Sequence, residues 1–142
     1  MPELSIVLPI YNEARGIPEL FQAIQAALTN FDYEIITVND GSKDNSFEVL
    51  KSFATSDKRI KVINFRKNYG QTAAINAGIR YSKGDIIVLM DSDLENDPAD
   101  IPHLINKLNE GFDVVSGWRQ ARWGGQFLTR KLPSLLANGL IS

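Results

Sequence analysis

The chain has 142 residues, enough for one compact core, and its apolar and charged fractions of 44% and 23% are those of an ordinary globular domain. A formal net charge of −2 argues against a general nucleic-acid binder, and the absence of cysteine excludes disulfides and thiolate metal sites. Glu3 follows Met1-Pro2 with no basic segment ahead of the first apolar run, so no secretory leader is expected and the expected location is cytoplasmic. No apolar stretch approaches the roughly 20 residues of a membrane span, which leaves association with a membrane surface as the only membrane option within these residues.

Leu4 to Pro9 reads as a strand, and Tyr11-Asn12-Glu13 as the turn that ends it. Ile17, Leu20, Phe21, Ile24, Ala27 and Leu28 then recur at helical spacing, with Pro18 suited to a first turn. Glu34 to Val38 is a second strand running into Asn39-Asp40-Gly41-Ser42, and Phe47, Leu50 and Phe53 mark a second helix. Ile60 to Phe65 is a third strand, and the Ala-rich stretch from Gln71 to Tyr81 favours helix. After the turn Lys83-Gly84-Asp85, the run from Ile86 to Met90 is a fourth strand. Asp97-Pro98 caps and opens a helix that carries Ile101, Leu104, Ile105 and Leu108 on one face and closes at Gly111; Asp113 to Gly117 reads as a fifth strand.

Strands alternating with helices predict a single α/β domain over 1–142, a mainly parallel sheet covered on both faces. Ligands of such sheets bind beyond the carboxyl ends of the strands. Asn12-Glu13, Asn39 to Ser42 and Asp91 to Glu95 each follow a strand, so these polar clusters are expected to meet on one rim. No internal repeat, low-complexity tract or interdomain linker interrupts the chain.

The cluster after the fourth strand is the most informative. Asp91 and Asp93 stand one residue apart at the end of an apolar run, with Glu95 two positions on. Keeping such carboxylates ionised in a half-buried place costs free energy unless a cation or strong donors compensate. Hard oxygen ligands suit Mg²⁺ or Mn²⁺, and because they are too few to enclose an ion, phosphate and water oxygens would complete its shell. The alternative is a solvated acidic turn, although Asp97 already serves as the cap of the next helix.

Pro9-Ile10-Tyr11-Asn12-Glu13 offers an aromatic face, an amide and a carboxylate suited to a base and ribose, or else a plain turn with Asn12 as a cap. Asp40-Gly41-Ser42 could bond a base edge, with Gly41 allowing close backbone approach, or be an Asx turn. Asn68-Tyr69-Gly70 and Gln71 read as a turn whose amides could reach the same rim. No phosphate-binding Gly-rich loop follows the first strand, which argues against a P-loop or dinucleotide site and against a sugar-nucleotide pyrophosphorylase. A phosphoacceptor signalling domain would need an acidic pair there, and none is present. Beyond Asp113 the chain has no acidic residue, and Arg119, Arg122, Arg130 and Lys131 alternate with Trp118, Trp123, Phe127, Leu128 and Leu132. This basic, amphipathic stretch suits an anionic phosphate or a membrane surface, or is a basic helix end that packs on further protein.

In order, Ser-Ile-Val-Leu-Pro-Ile-Tyr-Asn-Glu, Val-Asn-Asp-Gly-Ser, Asn-Tyr-Gly, Asp-Ser-Asp-Leu-Glu and Ser-Gly-Trp-Arg make a set that resembles family 2 glycosyltransferases, nearest to the dolichyl-phosphate or polyprenyl-phosphate hexosyltransferases. The resemblance covers nearly the whole chain. It implies a GT-A fold, a Rossmann-like three-layer α/β/α sandwich, and metal-dependent transfer of a hexose with inversion from a nucleotide-diphosphate sugar, UDP-hexose or GDP-mannose, with UDP favoured. It implies that Pro9, Tyr11, Glu13, Val38, Asp40, Asp91 and Ser92 hold the donor nucleotide, that Asp93 and Glu95 ligate Mg²⁺ or Mn²⁺, and that Asp93 and Arg119 are catalytic. Relatives often have Gln where Glu95 stands. Arg119 would meet the donor diphosphate or, with Arg130 and Ser134, the phosphate of a polyprenyl phosphate acceptor at the cytoplasmic membrane face. That phosphate is itself the nucleophile in this branch, so no general base is required. The chain is expected to be an N-terminal fragment, with more catalytic domain and membrane helices downstream. The alternatives are a fragment that binds nucleotide without catalysis and a transferase that uses a saccharide hydroxyl.

Overall fold

A computed structural model describes residues 1–117 and 127–130. The elements are β1 (Leu4–Ile10), α1 (Ile17–Ala27), β2 (Tyr33–Asn39), α2 (Ser46–Ser56), β3 (Ile60–Asn64), α3 (Gln71–Tyr81), β4 (Ile86–Leu89), a 3₁₀ turn (Pro98–Asp100) leading into α4 (Ile101–Leu108), β5 (Val114–Ser116) and β6 (Phe127–Arg130). The strands form one sheet in the order β3-β2-β1-β4-β6-β5. The first four are mutually parallel, and β6 runs antiparallel to both β4 and β5.

Period-two alternation sends successive residues of β1 to opposite faces. Leu4, Ile6, Leu8 and Ile10 pack with Ile17, Leu20, Phe21 and Ile24 of α1, Leu50 of α2, and Ile101 and Ile105 of α4. Val7 points the other way and joins Ile36 and Ile87, with Ile79 of α3 against them. The layers are therefore α1, α2 and α4 on one face and α3 on the other, the expected three-layer sandwich. Each fully buried Leu or Ile contributes about 1.5–3 kcal/mol.

α3 lies close to the sheet because of Gly78. A methyl group there would meet Val7 Cγ1 at 2.4 Å and Val38 Cγ2 at 3.4 Å. Val38 is thus a core residue, 0% exposed and turned toward α3. As predicted, Asp97 caps the Pro98 turn, its carboxylate accepting from the Ala99 N–H at 3.0 Å.

Glu34 opens what the sequence presents as an apolar strand, and it is a buried carboxylate. It is 2% exposed and accepts from Ser5 Oγ and the Lys83 N–H at 2.7 Å each and from Lys61 Nζ at 3.0 Å. Ser5 in turn accepts from the Gly84 N–H at 2.8 Å. This network fastens the turn before β4 to β1 and β2 at the end of the sheet opposite the Asp91 cluster. Burial alone would lift the Glu34 carboxyl, but these donors and the charge of Lys61 hold it below its usual range.

The second correction is β6. The basic stretch near Phe127 has the pattern of an amphipathic tail or a helix end, whereas residues 127–130 form a strand between β4 and β5. Four residues of mixed character carry too short an alternation to announce a strand.

Candidate functional site

Because β1, β2 and β4 are parallel and adjacent, the loops that follow them leave the same rim. They enclose a cleft of about 280 Å³ lined by Pro9, Ile10, Tyr11, Glu13, Asp40, Gln71, Asp91, Ser92 and Asp93. Seven of the residues expected to bind donor or metal are in that set. Val38 is not, for it is core. Glu95 is exposed and does not line the cleft, although it shares a turn with Asp93.

The walls are set by bonds between loops. Asn12, at φ 53°, accepts through Oδ1 from the Lys43 N–H at 2.8 Å and the Asp44 N–H at 3.4 Å. In the other direction, the N–H groups of Asn12, Glu13 and Ala14 donate to Ser42 Oγ, Ser46 Oγ and Asp44 Oδ2 at 3.0, 3.0 and 3.3 Å. Asn12 is therefore neither helix cap nor free ligand group. A short polar side chain tolerates the left-handed backbone, and its carbonyl joins the loop after β1 to the loop after β2.

Asp40, 4% exposed, accepts from the N–H groups of Tyr69 and Gly70 at 2.7 and 3.1 Å. Gly41, at φ 70°, lies so near Lys67 and Asn68 that a methyl group there would meet their backbone at 2.3 Å. The close approach anticipated at Gly41 is to the chain's own loop before α3. Asp40 serves as the latch of that loop and also lines the cleft.

On the opposite wall, Asp91 Oδ1 accepts from Gln71 Nε2 at 2.9 Å. Asp93 Oδ1 accepts from the Glu95 N–H at 3.1 Å, a turn made possible by Leu94 at φ 65°. A left-handed leucine costs about 1–2 kcal/mol, and it occurs at the residue next to the candidate metal ligand.

Among the described residues that line it, the cleft has four carboxylates and no Lys or Arg, so their charge is left without a cationic partner there. Burial, then Asp93, then Asp44 push Glu13 above the usual carboxylate range. Burial and Asp93 push Asp91 up as well, against the opposing hydrogen bond from Gln71. Among the described residues no group of three or more acidic or His side chains is arranged to hold a metal ion alone. Hard carboxylates in excess of their donors fit a divalent cation whose remaining oxygens come from a ligand and water.

Sequence reasoning missed two positioning groups, Asp44 and Ser46. The offset Asp44-x-Ser46, in which both Asp44 Oδ1 bonds go to Ser46, is a common local turn and gives no sign of its partners after β1. Arg119 and Ser134 lie outside the described residues. The register of β6 pairs Arg130 with Ile86, at the end of β4 remote from the cleft, and Phe127 with Leu89 beside it.

The sequence pattern described as glycosyl transferase family 2 matches residues 5–138. This chain belongs to that family. Family 2 relatives include the undecaprenyl-phosphate 4-deoxy-4-formamido-L-arabinose transferase of Salmonella enteritidis PT4, 42% identical over 142 residues that cover 98% of this chain and 43% of the relative. The chain spans about two fifths of the length of the curated relatives it matches. In fold it is similar to the mannosyltransferase PcManGT of Pyrobaculum calidifontis, solved with GDP-Man and Mn²⁺, with TM-score 0.80 and 19% identity over 98% of this chain and 46% of that one. It is likewise similar to the glucosyl-3-phosphoglycerate synthase of Mycobacterium tuberculosis, solved with Mn²⁺, UDP and phosphoglyceric acid, with TM-score 0.73 and 21% identity over 91% and 56%. The fold of this family 2 glycosyltransferase is GT-A. No helix among the described residues is long and apolar enough to cross a membrane.

Proposed function

We propose that the cleft binds the donor of a metal-dependent, inverting hexosyl transfer from a nucleotide-diphosphate sugar to a polyprenyl phosphate at the cytoplasmic membrane face. The observation that carries this reading is a rim cleft lined by four carboxylates, with no cationic side chain among the described residues that line it. A nucleoside diphosphate entering alone would add negative charge to negative charge; entering with a divalent cation, it supplies what the cleft lacks. The relatives' names and the Mn²⁺ in both solved neighbours support the same reading.

In this reading Tyr11 and Asp40 face the base and Asp91 with Ser92 the ribose and diphosphate. Asp93, with Glu95 on the same turn, would hold Mg²⁺ or Mn²⁺, which when bound neutralises charge on the departing diphosphate. A phosphate oxygen of the acceptor attacks the anomeric carbon as the bond from that carbon to the diphosphate oxygen breaks, and the nucleoside diphosphate leaves with the electron pair. An anionic nucleophile has no proton to lose, so the work of the chain is to orient the donor and exclude water. Arg119, by its place in Gly-Trp-Arg, is assigned to the donor diphosphate or the acceptor phosphate.

Calorimetric titration of UDP and GDP with Mn²⁺, and again with EDTA, tests the donor site. Saturable binding of one nucleotide that weakens at least tenfold without metal is expected, and metal-independent or absent binding overturns it. Incubating the matching nucleotide sugar with undecaprenyl phosphate or a saccharide acceptor tests the acceptor class. Product on the saccharide alone overturns the lipid-phosphate assignment.

A further inference from the structure

Gln71, whose amide the sequence puts within reach of this rim, lines the cleft, and the comparisons assign it no partner there. It opens α3, and its backbone is fixed by the two residues before it, whose N–H groups are held by Asp40. An exposed glutamine at a helix start gains little by ordering its side chain, yet this one reaches Asp91 Oδ1 at 2.9 Å. Asp91 can only accept, so the amide nitrogen must face it. That leaves Gln71 Oε1 and Asp91 Oδ2 as neighbouring acceptors at the cleft. Ser92, a buried residue, lines the same cleft.

Two adjacent acceptors beside a nucleotide cleft match two adjacent hydroxyl donors. Resting on the donor reading above, we propose that Gln71 and Asp91 together read the vicinal diol of the donor's ribose, with Gln71 a specificity-determining residue for ribonucleotide over 2′-deoxynucleotide. Asp91 alone could take either hydroxyl; the amide fixes which carboxylate oxygen is free and adds the second acceptor.

The test is a binding cycle with Mn²⁺ present, using whichever of UDP and GDP the wild-type chain binds and its 2′-deoxy counterpart, on wild type, Gln71→Ala and Gln71→Glu. The wild type should prefer the ribonucleotide by about tenfold, the scale of one hydrogen bond to a charged partner. Gln71→Ala should bring that ratio to about two, mostly by weakening the ribonucleotide, with the thermal midpoint unchanged because the side chain is exposed. Gln71→Glu keeps an acceptor but sets a carboxylate against Asp91, and should weaken both ligands. Equal weakening of both nucleotides in Gln71→Ala, or a wild type indifferent to the 2′-hydroxyl, overturns the diol assignment alone. Failure of the wild type to bind either UDP or GDP overturns the donor reading, and this inference with it.

Discussion

Asp93 acts on its neighbours before any ligand arrives, since its charge is among the causes that raise Glu13 and Asp91. Asp93→Asn keeps an Oδ1 to accept the Glu95 N–H and removes that charge. The metal-free variant should therefore melt about 1–3 °C higher than wild type, while its Mn²⁺-dependent nucleotide binding is lost. Differential scanning calorimetry and a Mn²⁺ titration check the two halves. A lower melting point with intact binding would separate Asp93 from both roles. Asp40 is the opposite case, because its carboxylate holds structure as well as facing the cleft. Asp40→Ala leaves the N–H groups of Tyr69 and Gly70 without their acceptor, so it should cost about 1–3 kcal/mol in urea unfolding and weaken nucleotide binding with or without metal.

Among the elements, α3 is the one whose placement the cleft depends on, since its first residue holds Asp91. Gly78→Ala drives a methyl group into Val7 and should cost about 1–3 kcal/mol through overpacking. It should also weaken nucleotide affinity although Gly78 does not line the cleft, as equilibrium unfolding and titration of one sample would report. Much of this element layout was legible in advance. The first four strands announce themselves by apolar runs, and parallel strands oblige their following loops to share a rim, so the meeting of Glu13, Asp40, Asp91 and Asp93 followed from pattern alone. Three things were not legible. Val38 falls inside a matched motif, but only the register shows it turned to α3. Glu34 is indistinguishable by spacing from an outward-facing carboxylate until its partners, drawn from β1, β3 and the turn before β4, are in view. β6 owes its existence to pairing partners distant in sequence, which local periodicity does not encode.

At the scale of the molecule, the two ends of the sheet are built on contrary electrostatic terms. At one end, burial alone would raise Glu34, but its hydrogen bonds and Lys61 bring it below its ordinary value. A carboxylate lowered on folding contributes stability that is present above its unfolded value, near 4.5, and is lost as pH falls through its folded value. Glu34→Gln would turn an amide N–H toward the Lys61 ammonium, and should cost about 1–3 kcal/mol at pH 7. The deficit should shrink as the solution is acidified from about pH 4.5 down through the folded value, because the carboxyl takes up its proton first in the unfolded chain and then in the folded one; urea unfolding across pH checks this. At the other end, Glu13 and Asp91 are raised, so their ionisation opposes folding and this opposition is relieved as pH falls through their folded values. Binding of Mn²⁺ with nucleotide should therefore stabilise the chain, by about 2.7 kcal/mol at a hundredfold excess over Kd, and should weaken as the solution is acidified.

The sheet order has a consequence for biosynthesis. Every described residue that lines the cleft lies between Pro9 and Asp93, on strands that pair with one another or on the segments between them, whereas the strand that covers the outer edge of β4 begins only at Phe127. A chain emerging from the ribosome thus has these cleft residues in hand while Ile86–Leu89 still offers a bare, sticky flank to other nascent polypeptides. Over that interval mispairing with a foreign strand can begin along the open margin, which closes once Phe127–Arg130 has been made.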